Sequence, residues 1–147
     1  MKKIFLLLPL LLVVTIITTY ARSAMNGNPR AEQEFKKYFA NVENVKWSKE
    51  EGGYLQASFT WDNHRTLAFF NSSGELVGSI RGISVNQLPL IVARNVERNY
   101  NKAIILEISE ITNDEGTQYK LTIEDEKNKY CLRLNSFGDI LKKEKVK

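Results

Sequence analysis

Histidine and cysteine are almost missing from this chain. Its 147 residues hold one of each, His64 and Cys131. A zinc site needs three or four protein ligands, and no histidine–cysteine set can form from this stock. One cysteine also forbids an intrachain disulfide. Cys131 sits inside Tyr130-Cys131-Leu132-Arg133-Leu134, where a thiol behaves as a small hydrophobe on a strand. His64 falls in Asp62-Asn63-His64-Arg65, a hairpin tip where a side chain is solvated. There is no Gly-x-Ser-x-Gly elbow and no Ser-His-Asp order. The acidic runs Asp114-Glu115 and Glu124-Asp125-Glu126 lack the spacing of a calcium loop. These absences point away from an enzyme and away from any cofactor or metal.

Long apolar runs are also scarce, with one exception. Ile4 to Thr19 is almost wholly apolar, preceded by Met1-Lys2-Lys3 and followed by Ala21-Arg22-Ser23. This pattern is that of a secretory signal peptide over residues 1–23, cut after Ser23 or after Ala21. The competing reading is an uncleaved membrane anchor, for which roughly 16 residues fall short of the ~20 a spanning helix needs. With no cysteine near the cut, attachment through a lipidated cysteine is excluded. The expected product is an exported, periplasmic or secreted protein that touches a membrane only if the leader stays on.

Excess charge disappears with the leader. The chain holds 21 Lys+Arg and 17 Asp+Glu; Lys2, Lys3 and Arg22 go with the leader and no acid does, leaving 18 against 17. A near-neutral mature chain gives no reason to expect nucleic acid as a partner. The basic end, Lys142-Lys143-Glu144-Lys145-Val146-Lys147, reads as a solvated tail. Residues 24–147 are enough for one domain with a core that needs no staples.

What is present is a turn used twice. Phe70-Asn71-Ser72-Ser73-Gly74-Glu75-Leu76 and Leu134-Asn135-Ser136-Phe137-Gly138-Asp139-Ile140 repeat apolar, Asn, Ser, any residue, Gly, acidic, apolar, 64 positions apart. Asn bonds its own backbone and Gly takes positive φ, which makes a type I turn closed by a left-handed glycine between two strands. That role explains Asn71 without the glycosylation that Asn71-Ser72-Ser73 would also permit.

Around these turns the chain alternates helix and strands. Asn28-Pro29 caps a helix carrying Ala31, Phe35, Tyr38 and Phe39. Strands follow over Val42 to Lys49, Tyr54 to Trp61, Arg65 to Phe70 and Glu75 to Ile83. Gly74, Gly78 and Gly82 in the last fall on one face with Leu76 and Ile80 by period 2. Gln87-Leu88-Pro89 opens a second helix with Val92, Val96 and Tyr100 on one side. Four strands follow again, around Ile104 to Ile111, Tyr119 to Ile123, Tyr130 to Leu134 and Ile140-Leu141. Aligning Phe39 with Tyr100, Trp47 with Ile108, Phe59 with Ile123 and Phe70 with Leu134 predicts an α+β domain. It is a two-layer tandem α-β4 repeat, in halves of about 28–83 and 84–147, with both helices on one face of a continuous antiparallel sheet.

The chain also resembles the PepSY-like family of small secreted proteins, which share the fold of β-lactamase inhibitory protein. The residues that carry this are Phe35 and Phe39 before Val42-Glu43-Asn44-Val45-Lys46-Trp47, Tyr54 with Phe59, Phe69-Phe70 before Gly74-Glu75-Leu76, Leu88-Pro89, Tyr100, and Tyr130 to Leu134 before Gly138-Asp139-Ile140. The resemblance implies tandem α-β4 repeats in one sheet, no catalytic motif, and regulation of a peptidase or envelope protein as a functional class. It transfers no contact residue.

A site follows from alternation. If Leu55, Ala57 and Phe59 face the helices with Ala68 and Phe70, then Leu67 and Phe69 face the other way, beside Arg65 and Tyr54. Aromatic side chains and Arg anchor interfaces, so Tyr54, Arg65, Leu67 and Phe69 are the candidate binding residues for a protein or peptide partner. A register error of one residue would exchange the two faces. The alternative reading is a carrier of a small apolar ligand, which needs an enclosed cavity.

Overall fold

The computed structural model describes residues 28–146, so the expected leader lies outside the described residues. Asn28 caps α1 (Pro29–Tyr38): its side chain accepts from the amides of Arg30 and Ala31, with Pro29 in the first turn. Glu32 near the start and Lys36 and Lys37 near the end match the helix dipole. β1 (Glu43–Lys49), β2 (Leu55–Trp61), β3 (His64–Phe70) and β4 (Leu76–Gly82) follow. Then come α2 (Leu90–Asn99), β5 (Ile104–Asn113), β6 (Gly116–Glu124), β7 (Lys129–Asn135) and β8 (Ile140–Val146). α2 has no side-chain cap of its own. The cap lies one turn upstream, where Ser84 and Gln87 satisfy each other's amides around a short 3-10 turn, Val85–Gln87.

All eight strands form one sheet in chain order, each antiparallel to the next. Short turns set that order within β1–β4 and within β5–β8, while β4 and β5 pair although α2 lies between them in the chain. Asp62 and Asn63 both take positive φ, 47° and 66°, the type I′ geometry whose twist suits a two-residue hairpin. In the longer turns the Gly74 amide donates to the Asn71 carbonyl at 2.9 Å and the Gly138 amide to the Asn135 carbonyl at 3.0 Å. Each Asn side chain reaches across its turn: Asn71 Oδ1 accepts from the Glu75 amide at 3.0 Å, and Asn135 Oδ1 from the Asp139 amide at 2.9 Å. Gly74 and Gly138 sit at φ +85° and +86°.

Directly opposed residues share a face, so the register locates the helices. The line Phe59, Thr66, Arg81, Glu110, Tyr119, Leu134, Ile140 crosses from β2 to β8 pair by pair. At one end Phe59 packs with Phe35 and Phe39 of α1's side of the core. At the other, Tyr119 and Leu134 share a core with Val92 and Val96 of α2. Both helices therefore cover the same face, as the alternation predicts.

That face holds two cores of different chemistry. Under α1 the packing is aromatic, with the Phe35 ring 4.9 Å from Phe59 and 5.3 Å from Trp47, and Phe39 5.5 Å from Trp61. Such tilted and edge-on pairs add about 0.5–1.5 kcal/mol each beyond burial. Under α2 it is aliphatic: Val92, Leu121, Ile123, Leu132 and Leu134 are fully buried. Between the cores lies a polar seam, where Arg81 Nη2 holds Glu110 Oε1 at 3.0 Å and the guanidinium lies 5.4 Å over the Trp61 ring.

Two expectations fail here. Gly74, Gly78, Leu76 and Ile80 do not share a face. Gly74 belongs to the turn, and the register shifts so that Phe69 pairs with Gly78 but Phe70 with Leu76. Val77 is the extra residue of a β-bulge, which sends Leu76 to the helix side and Gly78 and Ile80 to the other. The basic end is no free tail: through Val146 it is β8, paired to β7. Lys143 lies over the rings of Tyr130 and Tyr100, 4.1 and 5.0 Å from their centroids.

Candidate functional site

The face without helices is built from the alternate residues of the same strands. On β3 these are Arg65, Leu67 and Phe69, which oppose Thr60, Ser58 and Gln56 of β2. Their partners on β2 are polar because nothing packs over them. On the other side the row turns apolar: Leu67 opposes Ile80, and Ile80 opposes Ile111 of β5. Leu67, Phe69, Ile80 and Ile111 are half-buried although no helix covers them, because they shield one another in a strip across three strands.

Gly78 deepens the strip. It pairs with both Phe69 and Asn113, and a Cβ there would stand 2.9 Å from the Thr112 carbonyl. The strand therefore needs glycine for β5 to come this close. The missing side chain leaves a shallow hollow of about 280 Å³ bordered by Phe69, Val77, Ile80, Ile111 and Asn113. A side chain of a partner could enter it.

Arg65, Leu67 and Phe69 are thus brought together on one strand and one face. Tyr54 is not in the strand where alternation places it. β2 begins at Leu55, and Tyr54 follows a 3-10 turn, Glu51–Gly53. Its ring lies against Gly52, 3.5 Å from where a Cβ would be, and the residue is 44% exposed. It stands at the rim, one step beyond the Gln56–Phe69 pair. Ile80, Gly78 and Ile111 are the members that sequence reasoning missed. The only signal was the glycine spacing, and the bulge at Val77 disguised which face it marked. His64, expected to be solvated, is half-buried opposite Trp61 on the helix side. Among the described residues no three of His, Cys, Asp and Glu gather as a metal site.

Other concavities are clefts. One of about 490 Å³ lies beside Tyr38 and is bordered by Asn71, Glu75, Thr112, Asn113 and Asp114. An apolar one of about 270 Å³ opens beneath α2, between Leu88, Val96, Tyr100, Ile105 and Ile123. It falls below the ~300–1,000 Å³ of ordinary small-molecule sites.

No family model matches the chain, and no curated protein is significantly similar to it. Solved structures are similar in fold. A DUF2874 family protein from Bacteroides ovatus superposes with a TM-score of 0.71 at 20% identity, over 82% of this chain and 89% of its own. A BLIP-like protein from Bacteroides fragilis gives 0.71 at 20% identity, over 84% and 89%. A candidate periplasmic protein from Bacteroides eggerthii gives 0.71 at 14% identity, over 82% and 89%. The fold is BLIP-like. At this level of identity the likeness covers architecture: the eight-stranded antiparallel sheet and its two helices. In a BLIP-like sheet with both helices on one side, the other side is left as a broad face, and here that face carries the apolar strip.

Proposed function

We propose that this chain is a non-enzymatic binding module, exported after removal of residues 1–23, that holds a protein or peptide partner on the helix-free face of its sheet. The observation that carries the reading is the strip Leu67–Ile80–Ile111 with Phe69 beside it, apolar and without a covering helix. Monomeric proteins seldom leave contiguous apolar area on an open face without a use for it. Arg65 at one end and Tyr54 at the rim add the residue types that anchor interfaces. The partner is a peptidase or another envelope protein, the class that a PepSY-like resemblance implies.

We further read the chain as a doubled α-β4 unit. Supporting this, Phe39 and Tyr100 end their helices with the same bond, at 2.8 Å to Phe35 and to Val96. The bulge opposite Phe69 and Phe70 recurs opposite Arg133 and Leu134. Doubling would free one half of the open face to diverge for contact while the helix side keeps the fold.

The test is capture from the native envelope, with Tyr54→Ala, Leu67→Ala and Phe69→Ala compared against the parent for the captured protein. Loss of at least about tenfold in affinity for the Leu67 and Phe69 changes is expected. Equal binding by all variants would place the interface elsewhere.

A further inference from the structure

The open face carries a second row beside the apolar strip, and from β3 to β8 its charge is of one sign; past Thr60 it ends on Glu43 of β1. Arg65 of β3 opposes Thr60 of β2, and Gly82 of β4 lies against the Arg65 backbone. Gly82 opposes Ser109, Ser109 opposes Lys120, Lys120 opposes Arg133, and Arg133 opposes Lys142. The row thus runs from β3 to β8 through four exposed cations, with only small residues between Arg65 and Lys120. On β3, β4 and β5, the strands that carry the strip, it sits two residues from it, or about 6.8 Å away.

Lys120 and Arg133 are like charges in a directly opposed pair, with Cβ atoms about 5 Å apart, an arrangement that destabilises a sheet when left alone. Lys142 has an answer in Glu144, whose Oε1 lies 2.9 Å from its Nζ. Among the described residues Arg65, Lys120 and Arg133 make no ion pair. An anion placed along the row would relieve that repulsion.

Resting on the binding reading above, we infer that the partner presents an acidic, extended protein segment, its carboxylates along Arg65, Lys120 and Arg133 and an apolar side chain on the Leu67–Ile80–Ile111 strip. Five strand spacings separate β3 from β8, about 24 Å, which an extended segment covers in about seven residues. A uniform polyanion fits less well. On the far side of the row lie Glu107 and Glu144, in the line Glu107, Thr122, Cys131, Glu144, and they would repel a membrane surface or a nucleic acid backbone. The exported chain is also close to neutral, 18 bases against 17 acids, so it offers no long-range attraction to a polyanion.

The experiment titrates the exported protein, labelled for amide NMR, with synthetic peptides of about twelve residues. One carries several Asp and Glu around a central Phe or Leu; a second replaces the acids by Asn and Gln; a third replaces the apolar centre by Ser. Vesicles rich in phosphatidylglycerol and a single-stranded oligonucleotide are the other anions. The acidic apolar peptide is expected to shift amides of β3 to β8 along both rows. It should bind at least about tenfold more tightly than the other two, and weaken with salt. The charge reversals Lys120→Glu and Arg133→Glu sit on exposed positions; they are expected to keep the parent's circular dichroism spectrum and to abolish the preference for acid. If the Asn/Gln peptide binds as tightly and Leu67→Ala weakens both, the face is right and its acidic specificity is wrong. If vesicles or the oligonucleotide occupy the row more tightly than any peptide, or if no peptide shifts it, the inference is overturned.

Discussion

Arg81 and Glu110 join the two halves of the sheet, Nη2 to Oε1 at 3.0 Å across the β4–β5 pair. They sit between an aromatic and an aliphatic core, each side chain 24% exposed. The Arg81 Nε is buried without a hydrogen-bond partner, so the guanidinium depends on Glu110 and on the Trp61 ring.

Removing one partner should therefore hurt more than removing both. Glu110→Ala is expected to cost about 1–3 kcal/mol by leaving a half-buried cation. Arg81→Leu with Glu110→Leu should recover much of it. Urea unfolding of the four members of the cycle measures the coupling; strict additivity would mean the pair is idle.

Gly74 and Gly138 dock their turns on the helices. A Cβ on Gly74 would stand 2.7 Å from the Ala31 amide nitrogen, and one on Gly138 2.7 Å from Asn95 Nδ2 and 3.1 Å from the Ile91 carbonyl. Both glycines also have positive φ. Alanine is expected to destabilise at both, by about 2–4 kcal/mol at Gly74 and less at Gly138, where a side chain can move first. Shifted urea midpoints at unchanged slope check the order.

Phe69 and Phe70 are neighbours with opposite duties. Phe70 is fully buried, and Phe70→Ala should cost about 3–5 kcal/mol. Phe69 lies half-buried on the open face, so Phe69→Ala should leave the melting temperature within a few degrees and alter binding alone. Equal destabilisation would mean that Phe69 belongs to the core.

Two groups give pH dependence of opposite sign. Burial, then the charge of Glu110, raises Tyr119 above its ordinary value, with Arg81 opposing. Its contribution is whole below the unfolded value of about 10 and is lost as pH rises through the higher folded value. The amides of Lys127 and Asn128 donate to Asp125 and lower it. That contribution is present above about 3.9 and is lost as pH falls through the folded value. Thermal melts should show Tyr119→Phe flattening the alkaline limb and Asp125→Asn the acid limb.

The leader should be absent from the exported protein. Intact mass is expected to match a start after Ser23 or after Ala21. A membrane-bound product retaining Met1 to Thr19 would mean an anchor instead.

The elements from α1 to β7 and their order were legible in short stretches of sequence. Asn28-Pro29, Asp62-Asn63 and the two Asn–Gly turns are local chemistry, each fixed by a few adjacent residues, and alternation in Leu55-Gln56-Ala57-Ser58-Phe59 sorts the faces because strand period is 2. From these the helix side and the placement of Leu67, Phe69 and Arg65 were legible. Tertiary structure decided what depends on partners distant in the chain. The bulge at Val77 is a register shift between β3 and β4, and no single strand records it. β8 looks like a soluble tail because an exposed edge strand with lysines has no apolar side to show. Its pairing to β7 also sets Lys142 beside Arg133 and completes the charged row. Ile80, Ile111, Lys120 and Arg133 lie on four further strands, and only the hydrogen-bonded register, which couples residues tens of positions apart, puts them on one face with Leu67.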